Sequence, residues 1–93
     1  MYIYIYKYND RNIYIGSTYN LKKRRAEHLH EATYNSSRPF YRYLRQEKID
    51  FKDLQMEIFD FPEILNHVDL RSIEREFVKK YTPSANKIYK KIK

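Results

Sequence analysis

The 93-residue chain has no cysteine and no tryptophan, one glycine and three prolines. Without cysteine there is no disulfide framework and no zinc site built on thiolates. A single glycine excludes the phosphate-cradling loops of the GxxxxGK and GxGxxG kinds. No apolar run approaches the roughly 20 residues that span a bilayer, and none precedes a cleavage site, so no membrane role is expected and an intracellular protein is the default. The length allows one domain, residues 1–93, burying roughly 60–70% of its unfolded surface.

What is present is charge and tyrosine. Nineteen Lys and Arg oppose twelve Asp and Glu, for a net charge of +7. The surplus is uneven: +6 over residues 1–52, −5 over 53–76 and +6 over 77–93, with a lysine-rich tail from 87 to 93. A basic body with an embedded acidic segment suits a protein that holds a polyanion and a cation together. A solvated surface with a lysine-rich end would give the same totals.

Period-two alternation over Met1–Tyr8 places Tyr2, Tyr4, Tyr6 and Tyr8 on one face and Ile3, Ile5 and Lys7 on the other, which predicts a strand. Asn9-Asp10-Arg11-Asn12 reads as a four-residue turn, and Ile13-Tyr14-Ile15 resumes the extended pattern. Asn20 is a plausible N-cap for a helix with Leu21, Ala26, Leu29 and Ala32 as its apolar stripe. Pro39 fits the first turn of a second helix, which runs to about Lys48 and turns Phe40, Tyr43 and Leu44 inward. Leu54–Phe59 alternates again as a third strand that Pro62 ends, and a helix capped by Asp69 carries Leu70, Ile73, Phe77 and Tyr81 until Thr82-Pro83 stops it. The order β-β-α-α-β-α predicts an α+β fold, one small three-stranded antiparallel sheet flanked by helices.

No serine-histidine-aspartate arrangement stands out. His28 and His30 are two apart, which points them to different helix faces and disfavours a zinc pair. Arg24 and His28, four apart, share a face; a guanidinium can grip phosphate oxygens and an imidazole can relay a proton. Equally, Lys22-Lys23-Arg24-Arg25 could be a solvated basic face and His28 a surface residue. Glu74 lies along the inward stripe of the last helix, where a bound cation would offset the cost of its charge, although an ion pair with Arg71 or Arg75 would do so too.

These residues form a pattern. Tyr2-Ile3-Tyr4, then Tyr14-Ile15-Gly16 ten residues after Tyr4, Arg24 and His28 ten and fourteen residues past Tyr14, and Glu74 with Pro83 and Asn86 behind it resemble the GIY-YIG nuclease superfamily. The resemblance spans Tyr2 to Asn86. It implies divalent-metal-dependent hydrolysis of DNA phosphodiesters, with Mg²⁺ or Mn²⁺ held by Glu74. By the same resemblance Tyr4 activates the attacking water with help from His28, Tyr14 positions the phosphate or Tyr4, Arg24 stabilises the transition state and Asn86 braces the site. Two departures stand out: Tyr2 replaces the opening glycine, and Ser17 stands where excision-repair members carry lysine. Glu76 is the rival metal ligand; the twelve-residue step from Glu74 to Asn86 fits the family better.

Lys22, Lys23, Arg25, Arg38 and Arg42 are candidate contacts to nucleic acid. DNA is the expected partner, delivered where needed by a recruiting protein or a targeting domain in trans. The alternative is a non-catalytic module that stacks single-stranded nucleic acid on sheet tyrosines among basic residues. Such a module has no need of Arg24, His28 and Glu74 at these offsets.

Overall fold

The computed structural model describes residues 1–61 and 67–86, except for the side chains of 67 and 68. The elements follow the expected order: β1 (Tyr2–Tyr8), β2 (Arg11–Thr18), α1 (Leu21–Thr33), α2 (Pro39–Gln46), β3 (Gln55–Asp60) and α3 (His67–Tyr81). A 3₁₀ turn at Phe51–Asp53, capped by Asp50, has no counterpart in the sequence reading. The three strands form one antiparallel sheet in the order β2-β1-β3. The expected break at Pro62 and the lysine-rich tail lie outside the described residues.

The hairpin departs from expectation in a way that matters. Its turn has two residues rather than four: Asn9 and Asp10 both take positive φ, 48° and 65°, and Tyr8 pairs with Arg11. Asn and Asp tolerate the left-handed region that a tight hairpin turn needs. Lys7 then pairs with Asn12 but Tyr6 with Tyr14, so Ile13 is the extra residue of a β-bulge. Without that bulge Tyr14 would face the opposite way from Tyr4. With it, Tyr14 and Gly16 share the face of Tyr4 and Tyr6.

Both faces of β1 are covered, so its alternation separates two cores rather than core from solvent. On one side Tyr4, Tyr6 and the bulged Ile13 pack with Phe40, Tyr41 and Leu44 of α2 and with Ile49, Phe51 and Leu54. On the other, Ile3, Ile5 and Ile15 pack with Leu70 and Val78 of α3. Each fully buried isoleucine contributes roughly 1.5–3 kcal/mol.

The helices also differ in detail. Asn20 caps α1 as expected, its Oδ1 accepting from the Lys23 amide at 3.0 Å. The helix centres His28, not an apolar residue, on the sheet; Leu21 and Ala32 are only partly buried, and Ala26 and Leu29 are exposed. In α2 it is Tyr41 that is buried with Phe40 and Leu44, while Tyr43 is partly so. The two shifts have one cause: the imidazole of His28 and the phenol of Tyr41 satisfy each other in the interior. Asp69 sits within the first turn of α3 rather than at its cap.

Past α3, residues 84–86 run beside the outer edge of β2, with the Ser84 amide donating to Asn12 O at 3.1 Å and the Ala85 amide to Ile13 O at 2.7 Å. The Tyr6 hydroxyl is buried without a partner among the described residues. An unsatisfied buried hydroxyl costs about 1–3 kcal/mol. Tyr6→Phe is therefore expected to leave stability unchanged or raise it by about 1 kcal/mol in urea denaturation; a loss above about 1 kcal/mol would reveal a partner for that oxygen.

Candidate active site

A pocket of about 380 Å³ wraps the outer edge of β2 and draws on every part of the chain that carries the motif except β1. Tyr14 of β2, Arg24 and His28 of α1, Arg38 and Tyr41 at and within α2, Glu74 of α3, and Asn86 all line it. Glu74 reaches it from the α3 side of the sheet and the others from the tyrosine side. An edge strand makes that meeting feasible, since a central strand would keep the two faces apart.

Tyr4 stands behind this pocket. It is 1% exposed, and its hydroxyl lies 2.8 Å from His28 Nε2 and accepts from Arg24 Nε at 3.4 Å. Gly16 is its cross-strand partner, and a Cβ there would come within 2.3 Å of Tyr4 Oη. The one glycine of the chain thus serves space rather than backbone freedom, because its φ is not positive. Burial raises the pKa of Tyr4 well above the ordinary tyrosine value; nearby Tyr14 adds to this and Arg24 opposes it.

His28 is 1% exposed, and Tyr41 Oη occupies its other ring nitrogen, Nδ1, at 2.5 Å. Burial, with Arg24 and Arg38 nearby, pushes its pKa down to about 3, so the imidazole is neutral at neutral pH. It is therefore an interior residue, whereas His30 on the same helix is exposed and packs against Tyr34. The Tyr14 ring stacks on Phe40 with centroids 4.3 Å apart and planes 12° from parallel, which fixes the phenol at the pocket wall.

Asn86 makes two bonds to one residue: its Oδ1 accepts from the Ile15 amide at 2.9 Å and its Nδ2 donates to the Ile15 carbonyl at 3.0 Å. It pins the strand between Tyr14 and Gly16 and so acts on the site through the backbone. Ser17 Oγ donates to Glu74 Oε1 at 2.5 Å and orients the carboxylate. Glu76 is exposed and paired with Lys79 at 3.7 Å, away from the pocket.

No cluster of three or more His, Cys, Asp or Glu suited to a metal occurs among the described residues. One carboxylate facing a pocket fits a hard cation that fills its remaining positions with water and phosphate oxygens, as Mg²⁺ does. It does not fit a zinc cage, and both nitrogens of His28 are taken up by phenols.

The candidate nucleic-acid contacts divide. Arg38 lines the pocket, and Arg42 lines a smaller depression beside it with Pro39, Tyr43 and Gln46. Lys22 and Arg25 instead border an apolar groove between α1 and β3, and the exposed Lys23 lines none of these hollows. Three contributors escaped the sequence reading: Ser17, Phe40 and Tyr41. The serine stands out in the sequence only as a departure from the resemblance, not as a partner of Glu74. Phe40 reads only as helix core, and the helix pattern favours Tyr43 over Tyr41.

Two tests follow from this geometry. Gly16→Ala should cost about 1–3 kcal/mol in chemical denaturation, as overpacking does, and much less in a Tyr4→Ala background; equal costs in both would place the strain elsewhere. Because His28 is neutral when folded and takes a proton near 6.5 when unfolded, its contribution is complete above that pH and falls as the pH drops toward about 3. Urea titrations should show a loss on the order of 2–4 kcal/mol across that window, shallower in His28→Gln. An identical slope in the variant would remove His28 as its source.

The GIY-YIG catalytic domain model matches residues 1–90. No curated protein sequence matches the chain. Among solved structures, the N-terminal GIY-YIG endonuclease domain of UvrC from Thermotoga maritima, a point mutant bound to its catalytic divalent cation, aligns at 24% identity with a TM-score of 0.54. The alignment covers 90% of this chain and 79% of that one, and it concerns the fold. With a family model matched over nearly all its residues, the chain belongs to the GIY-YIG catalytic domain family, a family of nuclease domains.

Proposed function

We propose that the protein is a divalent-metal-dependent endonuclease that hydrolyses DNA phosphodiester bonds. The observation that carries this reading is the convergence of Tyr14, Arg24, His28, Glu74 and Asn86, from three secondary-structure elements and the segment after α3, on one pocket. Glu74, steadied by Ser17, would hold Mg²⁺ or Mn²⁺, which when bound supplies Lewis-acid stabilisation of the leaving oxygen. Arg24 offsets charge that builds on the phosphate, and Arg38 at the rim adds to the field that receives a polyanion.

Tyr14, held flat against Phe40, orients the phosphate and the attacking water. The burial of Tyr4 sets that water at the inner end of the pocket, against Arg24 and His28. Tyr4 is too weak an acid to rest as phenolate, so it takes the water's proton while handing its own to His28 Nε2. The stacking alternative is disfavoured: Tyr4 and Tyr6 are buried beneath α1 and α2 and offer no platform for bases.

The test is cleavage of supercoiled, linear and single-stranded DNA with Mg²⁺, Mn²⁺ or EDTA. Metal-dependent cutting is expected, abolished in Glu74→Ala and reduced by roughly 10²–10⁴-fold in Arg24→Ala and Tyr4→Phe. Binding without cutting under every condition sinks the nuclease reading, and full activity in Tyr4→Phe moves the base to Tyr14.

A further inference from the structure

His28 accepts the proton of Tyr4 in the reaction above, yet it is poorly placed to keep one. Its ring is buried between two tyrosines and close to two arginines, so an imidazolium there is disfavoured. The proton has to move on, and the ring's second nitrogen faces Tyr41.

Donor counting fixes the resting arrangement. Arg24 only donates, so Tyr4 Oη accepts from it and must place its own proton elsewhere. Tyr4 is buried, which leaves His28 Nε2 as its acceptor at 2.8 Å. The neutral imidazole therefore carries its hydrogen on Nδ1 and donates it to Tyr41 Oη. Tyr41 differs from Tyr4 in what lies beyond it. It lines the catalytic pocket and also a separate cavity of about 420 Å³ walled by α1, α2 and the 3₁₀ turn, where Asp50, Lys52 and Arg45 stand.

We propose that Tyr41 is a positioning and proton-passing residue: it holds His28 in the Nδ1–H tautomer and completes a relay, Tyr4–His28–Tyr41, that passes one proton's charge from the attacking water to the second cavity until product leaves. The inference rests on the hydrolytic reading above. In one turnover water loses a proton to Tyr4 Oη and the Tyr4 proton moves to His28 Nε2. The Nδ1 proton moves to Tyr41 Oη, and the Tyr41 proton leaves to water in the cavity. Each group gives one proton and gains one, and no imidazolium or phenolate accumulates. The ring is left as the Nε2–H tautomer. The start is restored when the Tyr41 hydroxyl rotates and the same bonds run in reverse: Tyr41 gives its proton to Nδ1 and takes one from water in the cavity, Nε2 returns its proton to Tyr4, and Tyr4 releases one to the pocket as product leaves.

The experiment compares wild type with Tyr41→Phe, which keeps the ring and removes the oxygen. Long-range ¹⁵N–¹H spectra of the protein labelled at its three histidines, with His28 assigned by substitution, report the tautomer without any need for activity. Wild type is expected to show Nδ1–H on His28 and the variant a shift toward Nε2–H. In single-turnover DNA cleavage with Mg²⁺ the rate should fall roughly 10²-fold at unchanged half-saturation, as loss of a proton-transfer step does. An unchanged tautomer in the variant overturns the positioning role, and a shifted tautomer with an unchanged rate overturns the relay. If Tyr41→Phe does not fold, the wild-type rate in mixed H₂O and D₂O decides: a curved dependence supports several protons moving together, and a linear one refutes it. A wild type that cuts no DNA defeats the nuclease reading and the relay together, while the tautomer spectra still judge the positioning role alone.

Discussion

One extra residue in β2 governs the rest of the molecule. The bulge at Ile13 turns β2 over relative to β1, so Tyr14 and Gly16 face the same way as Tyr4. Moved by one residue, the strand would point Tyr14 toward α3 and send Ile15 toward α1 and α2. Gly16 would then no longer lie opposite the Tyr4 phenol, and Asn86 would grip the wrong backbone. The bulged residue is itself fully buried, so the irregularity is held by the core rather than tolerated at a margin.

Around that register the site is built as two shells of unlike character. Toward solvent lie Tyr14, Arg24, Arg38 and Glu74, which a substrate can touch. Behind them Tyr4, His28 and Tyr41 form a line of short bonds within the aromatic core, where the low dielectric strengthens each bond and penalises any net charge. In the proposed reaction the outer groups would receive a polyanion and a cation, while the inner line suits the movement of protons with no change in charge.

Much of the fold was legible in the sequence, because the motif spacing reports the order of the elements and the residues that share a pocket. Element order, the Asn20 cap and the stop at Thr82-Pro83 agree with the structure, and of the two glutamates it is Glu74 that lines the pocket. What escaped depended on contacts between distant residues. Periodicity gave α1 an apolar stripe and so missed that His28 faces the sheet, since hydropathy does not register a polar side chain whose partners come from β1 and α2. Tyr41 was lost for the same reason, and the turn because Asn9 and Asp10 fit either hairpin length. Lys22 and Arg25, grouped with the basic run by charge, diverge from Arg24 through helix geometry alone.

The bonds between Asn86 and Ile15 join residues 71 apart. During synthesis the hairpin and α1 emerge first, carrying Tyr4, Tyr14, Arg24 and His28. Glu74 follows late, and the residue that pins the motif strand later still. A chain interrupted anywhere before residue 86 therefore holds the tyrosine-side groups of the pocket on an unfinished edge, without the clamp and, in shorter fragments, without the carboxylate. The order of translation itself withholds a complete pocket until residue 86 has been made, so the groups gathered early stand without their late partners through most of synthesis.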